Sequence, residues 1–205
     1  ELFPGAGAFS CCFDSVEKDG SIRTHYAMIS DFGSQRQAII KDYFGCAIHS
    51  YLITSSSVVI SKQVFQNVGT FNPLLSRGED RDMWRRIALN YPIAYLNEPH
   101  AVVYADADNR ACDRTFNLSE SAASLAEEVL RQAKEEGPVS KSYEEYMIKL
   151  IIGKAEYLIS VNDCREARKL LRAYRYTKRN RKDLLRAWLL SFAPKRFRRR
   201  GGRMA

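Results

Sequence analysis

The spacing of apolar residues changes near Asn117. Before it, they come in short blocks separated by Gly, Pro, Asn and Ser; after it, they recur at three- and four-residue intervals over long stretches. "AGAFSCCFDSV" (6–16) and "SIRTHYAMI" (21–29) have the composition of strands. The "EKDG" between them offers turn chemistry, with Gly20 free to take positive φ, so residues 6–30 predict a β-hairpin. "GSQRQAIIKDYFG" (33–45) predicts a short helix with Ser34 as N-cap and Gly45 just past its end. "SSSVVIS" (55–61) predicts a short strand, and "KQVFQNVG" (62–69) two helical turns closed by Gly69, followed by a loop through "TFNPLLSRG".

A stronger helix is predicted from about Arg77 to Asn90. Ser76 and Glu79 have the spacing of a capping box, Met83/Ile87 and Trp84/Ala88 repeat at i, i+4 as one inward stripe, and Pro92 cannot continue the helix. "IAYL" and "AVVYA" then predict two strands parted by "NEPH". Beyond the boundary, "LSESAASLAEEVLRQAKEE", "SYEEYMIKLIIGKAEYLIS" and "CREARKLLRAYRY" predict three amphipathic helices, "GPVS" separating the first two. "KDLLRAWLLSFAPKRFRRRGGR" joins a short apolar helix to a basic end. The domains implied are 1–117, an α/β body, and 118–205, a helical extension.

With 205 residues, 45% hydrophobic and 27% charged, the chain is long enough for a globular body with an appendage, and no apolar run approaches the roughly 20 residues that span a bilayer. Five cysteines at irregular spacing and three histidines make neither a zinc site nor a disulfide framework, so reduced thiols in a cytoplasmic protein are expected. Charge adds more. Although the net charge is +8, the segment from Arg165 onward holds 16 of the 32 Lys and Arg and only two of the 24 acids, Glu166 and Asp183. An acidic body thus carries a strongly cationic end, which calls for an anionic partner.

The order of elements in "SSVVISKQVFQNVGTFN…GEDRDMWRRIALNYPIAYLNEPHAVVY" resembles the C-terminal half of the catalytic domain of family 2 glycosyltransferases, which have the GT-A fold. The matching features are a strand ending near Ser56 and Ser57, a short helix, Gly69-Thr70-Phe71, a loop, and Gly78-Glu79-Asp80 opening a helix that contains Trp84 and Arg86. "YPIAYLNEPHAVVYADADNRACDR" is similar to the strands and closing loop of one bacterial branch of that family. The resemblance covers about residues 5–114 and implies a partial GT-A sheet with flanking helices.

By that resemblance, Asp80 is the catalytic base of an inverting transfer from a nucleotide-sugar donor to a glycan or lipid-linked acceptor. An acceptor hydroxyl attacks the anomeric carbon only as a carboxylate takes its proton, and a carboxylate in a first helical turn is held as the anion by the helix dipole. Glu79, Trp84 and Arg77 would face the acceptor, although the helical spacing of Trp84 equally fits a core ring, and Arg85 and Arg86 fit pairing with nearby carboxylates. The family holds Mg²⁺ or Mn²⁺ with a D-x-D motif before the hairpin, which would place that motif and the donor-binding half upstream of Glu1 and leave a sheet edge uncovered. Neither "DRD" (80–82) nor "DAD" (106–108) stands where the main motif belongs, but Asp106 or Asp108 could contact the metal or diphosphate.

At the basic end, Trp188, Leu189, Leu190 and Phe192 adjoin Lys195, Arg196 and Arg198 to Arg200, a pattern suited to an anionic membrane surface, here the inner face of the cell membrane. A solvated tail or a partner-protein contact is the next reading, and nucleic acid the weakest match, since Tyr174 and Tyr176 offer little stacking surface and no RNA-binding signature is present. The rival to the enzyme is therefore a non-catalytic module that presents a basic helical arm to membrane or nucleic acid.

Overall fold

A computed structural model describes residues 3–27, 36–107 and 117–195. The chain divides into two compact units, residues 1–115 and 116–205. The first is mixed α/β. Its strands are β1 (Ala8–Val16), β2 (Ile22–His25), β3 (Gln37–Ile39), β4 (Val58–Ile60) and β5 (Ile93–Tyr104), with helices α1 (Tyr43–Ala47), α2 (Lys62–Val68) and α3 (Glu79–Asn90).

Strand β1 organises the sheet. One of its sides carries β4 along Ala8–Ser10 and then β2 along Phe13–Val16, both antiparallel; the other carries β5, parallel along its length. Strand β3 closes the far edge, antiparallel to β5. The β1–β2 hairpin forms as its turn chemistry predicts: Glu17 N donates to Ser21 O at 2.8 Å, Gly20 takes φ 80°, and Asp19 Oδ1 accepts from Ser21 N and Oγ.

Three expectations need correction. Residues 33–45 do not form one helix. Gln37–Ile39 pairs with Ala94–Leu96, and a helix begins only at Tyr43, where Asp42 Oδ1 accepts from Gly45 N at 2.9 Å; Gly45 lies inside the helix and Ser34 outside the described residues. Only a distant strand decides that Ala38 and Ile39 extend rather than coil. "IAYL" and "AVVYA" are one strand. Twelve residues of β5 run beside nine of β1, and the surplus is taken up by register shifts between Cys11 and Cys12 and between Cys12 and Phe13, where Pro99 sits. Such an irregularity is where a strand tolerates proline. Finally, the capping box is not built. Gly78 is the N-cap, with φ 74° in the left-handed region, so α3 starts at Glu79 and Ser76 is exposed, too early to cap it.

Helix α3 buries Met83, Trp84 and Ile87 as its stripe requires. Gly7 lets β1 approach the end of this helix. A Cβ there would stand 2.5 Å from Tyr91 Cβ and 2.6 Å from Tyr91 Cγ, while Gly7 N donates to Pro92 O at 2.9 Å. Buried Ser10 ties β1 to the loop before β4: its hydroxyl lies 2.9 Å from Ser57 O and 3.3 Å from Ser57 Oγ, which in turn accepts from Thr54 N at 3.1 Å.

The second unit is helical. A 3₁₀ turn (Leu118–Glu120) leads into α4 (Ala122–Glu136), α5 (Lys141–Ser160), α6 (Cys164–Ala173) and α7 (Arg181–Leu190). Helix α5 is the central element, packed by α4, α6 and α7 and burying Ile148, Ile151, Ile152, Ala155 and Ile159. Ser121, Ser140 and Asp163 accept from backbone N–H groups three residues on and set the helix starts. Between α5 and α6, Asn162 adopts φ 73° while Asp163 N donates to Leu158 O and Asn162 N to Ile159 O, a Schellman closure with Asn in glycine's usual place. Among the described residues no helix is long and apolar enough to cross a membrane.

Candidate functional site

The first turn of α3 gathers three carboxylates, Glu79, Asp80 and Asp82, with the helix dipole behind them. They are not equivalent. Asp82 is bound: Arg85 Nη2 reaches its Oδ1 and Arg86 Nε its Oδ2, each at 2.9 Å. Arg86 extends the link by donating to Val68 O and, at 2.7 Å, to Thr70 O, which ties α3 to the loop leaving α2. Arg81 lies over the Tyr51 ring, 5.3 Å from its centroid, and donates to its hydroxyl at 2.8 Å. Asp80 is half-buried. Its Oδ1 accepts from Arg81 N at 2.7 Å, and among the described residues it makes no ion pair. Asp82 thus has two guanidinium partners, whereas neither Glu79 nor Asp80 makes an ion pair among the described residues.

The other site residues fall out as follows. Arg77 and Glu79 are half-buried beside Gly78. Trp84 is 2% exposed and meets Phe71 edge-on, ring centroids 5.9 Å apart. It is a core ring and cannot stack on a sugar; its buried Nε1 has no acceptor among the described residues. Asp106 is exposed in the turn after β5, and Asp108 lies outside the described residues. Among the described residues no group of three His, Cys, Asp or Glu converges on a cation position. Asp106 alone is one exposed carboxylate, short of the multi-oxygen shell that Mg²⁺ or Mn²⁺ takes.

Away from the α3 terminus, one face of the sheet forms a concavity of about 800 Å³, lined by Phe9 and Cys11 of β1, Ser57, Val59, and Leu96 and His100 of β5. Asp80 is not among its lining residues. This cleft was not foreseen. Alternation in "AFSCC" marks Phe9 and Cys11 as sharing one face, but only the pairing of β4 and β5 with β1 turns that face into a hollow. On the opposite face, Cys12 is fully buried, and burial pushes its thiol up to about 11. His25 stacks on Phe13 with centroids 4.5 Å apart, contacts Ser15 Oγ at 3.0 Å, and is held below its ordinary value chiefly by burial and then by Arg23. Neither group is poised for chemistry at the α3 terminus.

Comparison with protein-family models, curated proteins and solved structures finds no match to this chain. Its class stands on its own geometry: a mixed α/β unit built on a parallel β1–β5 pair, followed by a helical unit centred on α5.

Proposed function

We propose that the first unit is the acceptor-side part of an inverting glycosyltransferase whose donor-binding part precedes Glu1, with Asp80 as the base. The observation that carries this reading is the inequality of the α3 carboxylates. Arg85 and Arg86 hold Asp82, whereas half-buried Asp80 has no cation on it among the described residues. Supporting it is the order of elements from β4 through α2 and α3 to β5.

In the proposed step an acceptor hydroxyl oxygen attacks the anomeric carbon of the sugar. The bond from that carbon to the nucleotide diphosphate breaks, its electron pair leaves with the diphosphate, and the hydroxyl proton passes to an Asp80 carboxylate oxygen. Arg81 ties the first turn of α3 to Tyr51, and Arg86, further along the helix, ties it to the loop leaving α2; positioning of this kind is what a general base requires.

The test is nucleotide-sugar-dependent transfer in the protein extended upstream of Glu1. Asp80→Asn should reduce turnover by about 10²- to 10⁴-fold, the usual worth of a positioned base, with donor affinity unchanged. Asp82→Asn should act mainly on stability. Near-wild-type turnover in Asp80→Asn would remove it from the mechanism.

A further inference from the structure

The second unit carries a surface independent of the reading of the first. On α6, Arg165, Arg168, Lys169 and Arg172 follow one another at i, i+3, i+4 and i+7, which puts them on one side of the helix, and Arg175 follows in the turn after it. They line a shallow trough of about 800 Å³ in which Glu166 is the one acid. On α7 and the turn after it, Leu185, Trp188, Leu189 and Phe192 repeat with the same period. Leu185 is 55%, Leu189 62% and Phe192 61% exposed.

Packing of α6 with α7 lays the two stripes side by side. Arg168 lies over the Phe192 ring with its guanidinium carbon 4.8 Å from the centroid, and donates to Ser191 O at 3.1 Å; Arg172 lies 5.8 Å from the Trp188 centroid. Two cations beside the aromatic residues, Arg168 and Arg172, therefore come from α6, some twenty residues earlier in the chain.

We infer that this α6–α7 face docks on the surface of an anionic phospholipid bilayer, the α6 cations meeting headgroup phosphates and Leu185, Leu189 and Phe192 entering the headgroup–acyl boundary. Charge complementarity names the phosphates, and the exposed aliphatic side chains decide between phosphate sources. Leucines gain nothing against a nucleic-acid backbone but gain burial in a bilayer. Base stacking needs free ring faces. Here Arg168 and Arg172 each cover one, and Trp188 and Phe192 meet at 64°, so the two rings form no parallel platform.

The experiment is vesicle flotation of the whole chain, comparing phosphatidylcholine alone with equal parts phosphatidylcholine and phosphatidylglycerol. Binding should require the anionic lipid and fall with added salt. Among the described residues Arg165, Lys169 and Arg175 make no aromatic contact, and Lys169 makes only an exposed pair with Glu166 at 3.7 Å, so Arg165→Gln/Lys169→Gln/Arg175→Gln should fold normally. At about fivefold per cation near an anionic surface, that variant should lose roughly a hundredfold in partitioning. Leu189→Ser/Phe192→Ser, which leaves the charge unchanged, should lose at least about a hundredfold in partitioning. In a Trp84→Phe background, Trp188 emission should shift to the blue on binding. Equal partitioning into neutral vesicles would overturn the inference. So would undiminished binding by the triple variant, which would assign attachment to the arginines after Lys195. A third refutation is binding of a single-stranded oligonucleotide that displaces the vesicles and is untouched by Leu189→Ser/Phe192→Ser, which would make the face a nucleic-acid surface.

Discussion

Glu145 supports the most closely reasoned stability prediction. Its carboxylate, on α5, accepts from four groups in the connection between α6 and α7: the Thr177 hydroxyl, Lys178 N at 2.7 Å, Asn180 Nδ2 at 2.9 Å and Arg179 N at 3.2 Å. Thr177 and Asn180 are buried, Asn180 completely, and Asn180 Nδ2 also donates to Glu145 O at 2.8 Å. Glu145→Ala removes all four acceptor contacts. The two backbone amides are in exposed residues and can turn to water, so their loss is small. The Thr177 hydroxyl and the Asn180 amide lose an ionised acceptor where water is scarce, at about 1.5–3 kcal/mol for each charge-assisted bond. Asn180 keeps the Glu145 carbonyl, so the expected cost is about 3 kcal/mol. Glu145→Gln should cost about half that, since one amide oxygen still accepts while the amide nitrogen meets donors. The assay is urea unfolding followed by far-UV circular dichroism, with Trp188 emission reporting the helical unit in a Trp84→Phe background.

A pH series adds an independent check. Burial by itself raises the Glu145 carboxyl, but the bonds from Thr177, Lys178, Asn180 and Arg179 outweigh it and leave the group below the ordinary 4.5. The folded value thus lies below the unfolded one. The stabilisation is complete above about pH 4.5 and is lost as the pH falls through the folded value. Wild type should lose stability in that acid range more steeply than Glu145→Gln. A destabilisation under about 1 kcal/mol for Glu145→Ala, the size of a neutral surface contact, would refute the argument, as would parallel acid profiles for wild type and Glu145→Gln.

Two further predictions concern the α/β unit. Gly7→Ala puts a methyl group within 2.6 Å of two Tyr91 atoms and must displace either the ring or β1; a loss of at least about 2 kcal/mol in the unfolding of that unit, followed by Trp84 emission, is expected. Gly5→Ala, where nothing lies within 4 Å, separates backbone strain at φ 89° from collision and should cost less. Cys12, fully buried with its thiol raised to about 11, should resist iodoacetamide at pH 8 until the unit unfolds, so modified Cys12 in native peptide maps would contradict its placement.

Much of this fold is legible in residue order alone, and the failures have a common cause. The β1–β2 hairpin, α2, α3 and the four helices of the second unit rest on local information: Gly20 in a tight turn, Gly69 after α2, the Met83–Ile87 stripe, Ser140 and Asp163 ahead of their helices. The errors fall where a distant partner decides. Gln37–Ile39 extends because β5 offers it a ladder, and "NEPH" stays in β5 because β1 runs alongside and shifts register to accept it. Ser76 loses the cap because Gly78 takes the left-handed conformation and α3 starts only at Glu79.

The candidate sites divide along the same line. The carboxylates at residues 79, 80 and 82 and the excess of cations after Arg165 could be read directly from the chain, because residue identity and helical period place acids in a first turn and arginines on one face. Only tertiary structure showed which acid the arginines occupy, that Trp84 is interior, and that Arg168 and Arg172 lie against Phe192 and Trp188. Period and composition act over a few residues, whereas burial, ion pairing and the meeting of two helix faces depend on groups far apart in sequence that become neighbours only once the chain has packed.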